Sequence, residues 1–290
     1  MKYNKNHFKF SLFIITFILV CIGYIGYNYK SRHTFNPVQP LSSKNLMVHF
    51  IDVGQGDAIL IQTNNKNLLI DSGPDNKKAF SYLKAQGVKS LDYVIATHPH
   101  DDHIGSMAKI INTFDIHSFY APKITNNTDA FKDMLNSLNN KNLKLIPAKV
   151  GLKINLGDNI NCTILSPIEN SYKELNNYSI VLKISYNNTS FIFMGDAEVS
   201  NENELIKTGY NLKADILKVG HHGSNSSTSK PLLSEVKPKV AIISCGQGND
   251  YGHPNKETIN KLSEENISIY RTDKHGSIIL ESDGNKIMKR

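Results

Sequence analysis

Six consecutive residues, His98-Pro99-His100-Asp101-Asp102-His103, carry three imidazoles and two carboxylates. Together these groups suit zinc, manganese or iron better than calcium or magnesium. The cluster follows an apolar run, Tyr93–Thr97, and precedes a helical pattern opening near Gly105. It therefore belongs to a strand-to-helix loop, which can aim several side chains at one point. A merely solvated loop has no need of three histidines at this density. Similar side chains recur where other apolar runs stop. Asp71 follows Leu68–Ile70, Asp196 follows Phe191–Met194 and Gly195, and His221-His222 follows Ile216–Val219 and Gly220. An aspartate closing one strand is an ordinary turn residue, and Asp71 alone reads that way. Four such strand ends on a shared sheet edge would converge.

Positioning those ends requires a particular set of elements. Strands are expected at Met47–Val53, Ala58–Gln62, Asn67–Asp71 and Tyr93–Thr97, with a helix at Asn76–Gln86 closed by Gly87. Helical patterns follow at Gly105–Thr113 and Thr128–Asn139, then strands near Leu143–Ile146, Asn161–Ser166, Ile180–Tyr186 and Phe191–Met194. The last third alternates: helices at Glu198–Lys207, Thr228–Val236 and Asn255–Asn266 between strands at Ile216–Val219, Val240–Ser244, Ser268–Tyr270 and Ser277–Glu281. Early hairpins followed by β–α alternation predict two sheets face to face with helices outside.

The 290 residues are 40% hydrophobic and 20% charged, which excludes a disordered or collagen-like chain. Three cysteines make no disulfide framework, and Cys162 and Cys245 read as buried free thiols. The net charge of +7 is not spread evenly. Lys2, Lys5, Lys9, Lys30 and Arg32 precede any acid, leaving 28 basic against 26 acidic residues in the remainder. Residues 1–9 are a basic segment. Residues 10–29 are uncharged and mostly Ile, Leu, Phe and Val, long enough as a helix to span roughly 30 Å of bilayer core. A cleaved signal peptide is the alternative, but Ile22, Tyr24 and Ile25 stand where small residues would be needed. The expectation is a single-pass signal anchor at 10–29, a linker at 30–45 with Pro37 and Pro40, and a domain at 46–290. Lysines before the span favour an internal N-terminus and an extracellular domain at the cell membrane.

The pattern His-x-His-x-Asp-His, with Asp71 before it and Asp196 and His221-His222 after it, resembles the metallo-β-lactamase superfamily. Five further motifs, in order, are similar to the hydrolase domain of ComEC-type competence proteins: Val53-Gly54-Gln55-Gly56-Asp57, Asn176-x-x-Ser179, Lys218-Val219-Gly220-His221-His222-Gly223-Ser224, Tyr251-Gly252-His253-Pro254 and Arg271-Thr272-Asp273. The resemblance implies an α/β fold, the αββα sandwich of two mixed sheets with outer helices. It also implies two divalent transition-metal ions, zinc or manganese. His98 and His100 would hold the first, Asp102 and His103 the second, and Asp196 would bridge them. Either His221 or His222 would complete the second site, with a lean to His221. Asp71 would orient a ligand histidine from behind. The superfamily's third motif usually supplies a histidine. None lies between His117 and His221, and Asn176 and Ser179 occupy that stretch instead.

Two metals would activate a shared water and offset charge on a phosphoryl or carbonyl oxygen. Asp102, or its neighbour Asp101, is the candidate for moving a proton, and His253 for donating to the leaving group or standing as a structural histidine. Ser224 is a candidate contact for an anionic substrate, while Thr228 reads as a helix N-cap and Asp57 as a turn residue bonding its own backbone. The resulting expectation is a membrane-anchored phosphodiesterase or nuclease, with DNA as its anionic substrate. The lysines at 77, 78, 84 and 89 and at 141, 144, 149 and 153 read as solvated faces rather than a phosphate track. The alternatives are hydrolysis of another ester (a cell-wall phosphodiester, a lactone or a β-lactam) and a non-catalytic subunit of a DNA-uptake assembly. One span makes no channel, so DNA uptake would require a separate channel partner.

Overall fold

The computed structural model describes residues 45–290. The span expected at residues 10–29 lies outside them, and among the described residues no helix is long and apolar enough to cross a membrane. The strands are β1 (Leu46–Phe50), β2 (Ile59–Gln62), β3 (Asn67–Ile70), β4 (Ser90–Ile95), β5 (Asp115–Ala121), β6 (Leu145–Pro147), β7 (Lys153–Ile154), β8 (Ile160–Ser166), β9 (Val181–Tyr186), β10 (Thr189–Phe193), β11 (Ile216–Lys218), β12 (Val240–Ile243), β13 (Ser268–Arg271), β14 (Ile278–Ser282) and β15 (Ile287–Lys289). They form one sheet in the order β15-β14-β1-β2-β3-β4-β5-β6 and another in the order β13-β12-β11-β10-β9-β8-β7. Both sheets are mixed: β3, β4, β5 and β6 are parallel, as are β10, β11, β12 and β13.

Side-chain alternation builds three apolar layers from these two sheets. Leu68 and Ile70 of β3 and Phe191 and Phe193 of β10 face the space between the sheets, where Phe50 stacks on Phe193 at 6.1 Å. Leu69, one residue out of step, packs instead under the helices α1 (Lys78–Ala85), α3 (Met107–Thr113) and α4 (Asp129–Asn140). Ile192 and Leu217 do the same beneath α5 (Val199–Lys207), α6 (Lys230–Val236) and α7 (Lys256–Glu264). The result is the expected αββα sandwich.

Several expected elements are redrawn. The helix expected at Gly105–Thr113 starts after Ser106, as α3, and a short helix α2 (Asp101–Ile104) takes the end of the expected strand-to-helix loop. The edge element β7 and the terminal strand β15 were not expected, nor was β5, whose first residues alternate between exposed and half-buried and so lack an apolar run. A short helix α8 (Thr272–His275) follows β13. Thr128 caps α4, accepting from the Phe131 N–H. Thr228, expected to cap α6, has a left-handed backbone instead, and Ser229 provides the cap to the Leu232 N–H. Cys162 and Cys245 are free and buried, as expected.

Candidate metal centre

The parallel strands of both sheets point their C-terminal ends at one edge, and the ligand-type residues sit there. Asp71 closes β3, His98 and His100 occupy the loop after β4, and Asp102 and His103 lie in α2. Asp196 follows β10, and His221 and His222 follow β11. The turn before β2 holds this loop from below. The Asp57 N–H donates to the Asp102 carbonyl, and a Cβ on Gly56 would lie 2.1 Å from that oxygen, so only glycine fits.

Asp196 stands at the centre. Its Oδ2 lies 3.3 Å from His103 Nε2, 3.4 Å from His222 Nε2, 3.8 Å from His98 Nε2 and 3.9 Å from His221 Nε2. Its Oδ1 is buried and has no hydrogen-bond partner among the described residues. On one side, His98 Nε2 and His100 Nδ1 meet at 3.0 Å. On the other, Asp102 Oδ2 lies 3.2 Å from His222 Nε2, and the Nε2 atoms of His103 and His222 are 3.3 Å apart. Thus His222, not the favoured His221, sits between Asp102 and His103. His221 reaches the same Asp196 Oδ2 at 3.9 Å, with its ring centre 6.2 Å from that of His222. Both residues have left-handed backbones (φ 51° and 44°), which bulky L-residues adopt only under constraint from their surroundings.

Four of the rings are fixed from behind at Nδ1. Asp71 Oδ2 lies 2.8 Å from His103 Nδ1, as expected of an orienting carboxylate, and also accepts from the Thr97 hydroxyl at 2.7 Å. The Ser244 carbonyl lies 2.9 Å from His222 Nδ1. Glu198 Oε1 and Ser226 Oγ approach His221 Nδ1 at 3.3 and 3.1 Å. Thr97 and Ser179 hydroxyls flank His98 Nδ1 at 3.2 and 3.4 Å. Ser179 also accepts from the Asp196 N–H, so it holds a strand end and a ring together. Asn176 reaches His221 and Glu198 with its amide.

Burial alone would neutralise His103 and His222. Asp196 opposes it, joined by Asp102 and Asp71 at His103 and by Asp102 and Asp57 at His222, and both rings are pushed well above the ordinary histidine value. Buried His98, beside His103, is held well below it. A divalent cation would fit this set, which offers buried imidazoles and a carboxylate oxygen with no hydrogen-bond partner among the described residues.

Two residues take roles other than those expected. Ser224 is buried behind the site, where its hydroxyl accepts from the Ser226 N–H, and it does not line the cleft. Asp57 does not bond its own turn; Asp52 does that, accepting from the Gly54 N–H. Asp57 Oδ2 instead pairs at 2.7 Å with Lys218, a lysine buried completely in β11, and its Oδ1 lies 3.4 Å from His222 Nδ1. Its carboxylate shares a cluster with His103, Asp196 and His222 whose ligand-type atoms lie within 4.8 Å of one another. Its Oδ1, like that of Asp196, has no hydrogen-bond partner among the described residues. Lys218 and Glu198 were missed as site residues, although a lysine inside the apolar run Ile216–Val219 was a visible signal.

The centre opens into a cleft of about 1070 Å³. His253 lines it, 5.3 Å from His221 between ring centres, and burial with the charges of His221 and His222 lowers its ring to about 4. Tyr251, 72% exposed, stacks on His253 at the rim. Asp75, Asp101, Asp129 and Asp133 also line the cleft.

The profile of the metallo-β-lactamase superfamily matches residues 51–247, a span holding every ligand-type residue of the centre. The chain belongs to this superfamily. Among relatives, it is 31% identical to ComE operon protein 3 of Bacillus subtilis over 83% of this chain and 34% of that protein. It is 29% identical to Recombination protein 2 of Haemophilus influenzae, over 82% of this chain and 29% of that protein. The chain thus spans about a third of the length of these relatives. The metallo-β-lactamase fold protein YhfI from Bacillus subtilis superposes with a TM-score of 0.56 at 15% identity, covering 82% of this chain and all of that one. That likeness is one of fold.

Proposed function

We propose that this superfamily member is a metal-dependent phosphodiesterase acting on nucleic acid and anchored to the membrane by residues 10–29. The observation that carries the reading is Asp196, a buried carboxylate facing four imidazoles with one oxygen unpartnered. His98, His100 and His221 would hold one ion, Asp102, His103 and His222 the other, with Asp196 between them. On this reading Glu198-backed His221 stands in for the histidine absent from the third motif. Two such ions supply a nucleophile from water near neutral pH and offset charge on a phosphoryl oxygen.

The chain's own residues do the rest. Asp71, Glu198 and the Ser244 carbonyl keep three rings in one orientation, which preserves the site's geometry through a turnover. His253, neutral near pH 7, offers one N–H to a substrate oxygen and Tyr251 a ring face at the rim. The name of one relative, Recombination protein 2, supports a nucleic-acid substrate. Asp75, Asp101, Asp129 and Asp133 outnumber the two lysines of the cleft lining, Lys78 and Lys109, and so favour a second reading, a compact phosphodiester or another small ester.

Hydrolysis of single-stranded DNA, double-stranded DNA and bis-p-nitrophenyl phosphate by the metal-loaded full chain separates these readings. Cleavage of the small ester alone selects the second, and no cleavage of any overturns both. Elemental analysis is expected to find two Mn, Zn or Fe ions per chain, and one in His221→Ala. Two ions in that variant would remove His221 from the ligand set. Protease added to intact cells is expected to remove the domain; full protection would place it inside.

A further inference from the structure

The centre lies at the C-terminal ends of the parallel strands, and the opposite end has a different character. Lys213 precedes β11, Lys237 and Lys239 precede β12, and Lys286 precedes β15. Lys183, Lys213, Lys237 and Lys239 line one hollow of about 410 Å³. Lys239, Lys286 and Lys289 line the adjoining one of about 390 Å³. Asp215 is the one acid lining either, and it is already engaged, with Lys239 at 2.9 Å and with the Ser190 N–H. Among the described residues, Lys213, Lys237 and Lys286 have no carboxylate within ion-pair distance, and all three are exposed. A domain with nearly balanced charge has therefore gathered unpaired cations on one end.

The chain enters the domain at this same end. Leu46 opens β1 opposite Ser282, and the Ser282 hydroxyl bonds Thr189, which lines both hollows. From Thr189 to Asp196 is seven residues, about 23 Å at roughly 3.3 Å per residue, so the metal centre faces away. Covalent geometry limits the span of residues 30–45 to roughly 55 Å.

We propose that this lysine end is a docking surface for an anionic phospholipid bilayer, which holds the domain with its cleft turned to solution. The proposal rests on the anchoring reading above. Clustered lysines beside a hydrophobic anchor are drawn to anionic lipid, and the attraction falls off within a Debye length. Nucleic acid is the competing polyanion, but the chain's entry at this face favours the membrane.

The full chain is reconstituted in vesicles of phosphatidylcholine alone or with phosphatidylglycerol, and its lysines are acetylated with an amine-reactive ester and read by mass spectrometry. Lys213, Lys237 and Lys286 are expected to label roughly three-fold less or lower in the anionic vesicles, with protection lost at high salt. Lys77 and Lys123, near the cleft end, should label equally in both. Equal labelling of all five overturns the surface, even when the chain resists alkaline extraction and the anchor therefore stands. Extraction of the chain with protection intact overturns the anchor and keeps the surface. Protection by an added oligonucleotide but not by lipid assigns the surface to nucleic acid and overturns the proposal.

Discussion

Asp196→Ala is expected to lose both metal ions and to lower phosphodiester hydrolysis on the order of 10³-fold or more. The carboxylate faces four imidazoles, with its Oδ2 3.3 Å from His103, 3.4 Å from His222, 3.8 Å from His98 and 3.9 Å from His221. Removing it leaves two cations close together with nothing to offset their repulsion, so both sites weaken at once. His98→Ala should empty one site. Asp71→Asn, which touches a ligand ring only from behind, should cost roughly 10–100-fold and retain more metal. Elemental analysis after desalting, with turnover measured on the same samples, gives the ordering. If Asp196→Ala kept two ions and near-normal hydrolysis, the centre would have to be rebuilt around Asp102. Asp215 offers no substitute, because it lies at the lysine end of the strands.

Lys218→Met is expected to destabilise the domain by about 3–5 kcal/mol near pH 7, the usual cost of breaking a buried ion pair from one side. Lys218 shares the inner face of β11 with the core residue Ile216, and its ammonium crosses to Asp57 in the turn that leads into β2 of the other sheet. It also donates to the Val219 carbonyl at 2.9 Å. Burial by itself would raise the Asp57 carboxyl, but the charge of Lys218 and the contact with His222 hold it below the usual carboxylate range. A depressed carboxyl contributes stability that is complete above its unfolded value, near 3.9, and is lost as the pH falls through its folded value. In Lys218→Met the same burial acts unopposed by the lysine, so Asp57 takes up a proton at higher pH. The penalty should therefore shrink as the pH drops towards about 4, and adding Asp57→Asn should recover much of it at pH 7. Urea unfolding with excess chelator separates this effect from metal binding. A difference below about 1 kcal/mol at every pH would mean that the pair does not tie the sheets together.

Local signals determined a large part of this protein. Ligand-type residues at four strand ends, apolar runs with period two, and the order of the motifs were enough for the αββα sandwich and for the neighbourhood of Asp71, His98, His100, Asp102, His103 and Asp196. These depend on residues close in sequence, or on a fold that many sequences share. Spacing could not choose between His221 and His222. Adjacent residues would ordinarily diverge, yet with a left-handed backbone at both, each ring reaches Asp196 Oδ2. It also could not reveal that Glu198 backs His221 or that Lys218 pairs with Asp57, because each partnership closes only when distant strand ends meet. His103 and His222 stand 119 residues apart and touch at 3.3 Å. Nor could it show that Ser224 turns inward or that Ser229, not Thr228, caps its helix. Those outcomes follow from one backbone conformation and from Glu202, which takes the Thr228 and Ser229 N–H groups from another helix. The pattern of residues decided what could bind here; the packing of two sheets decided which nitrogen faces which carboxylate.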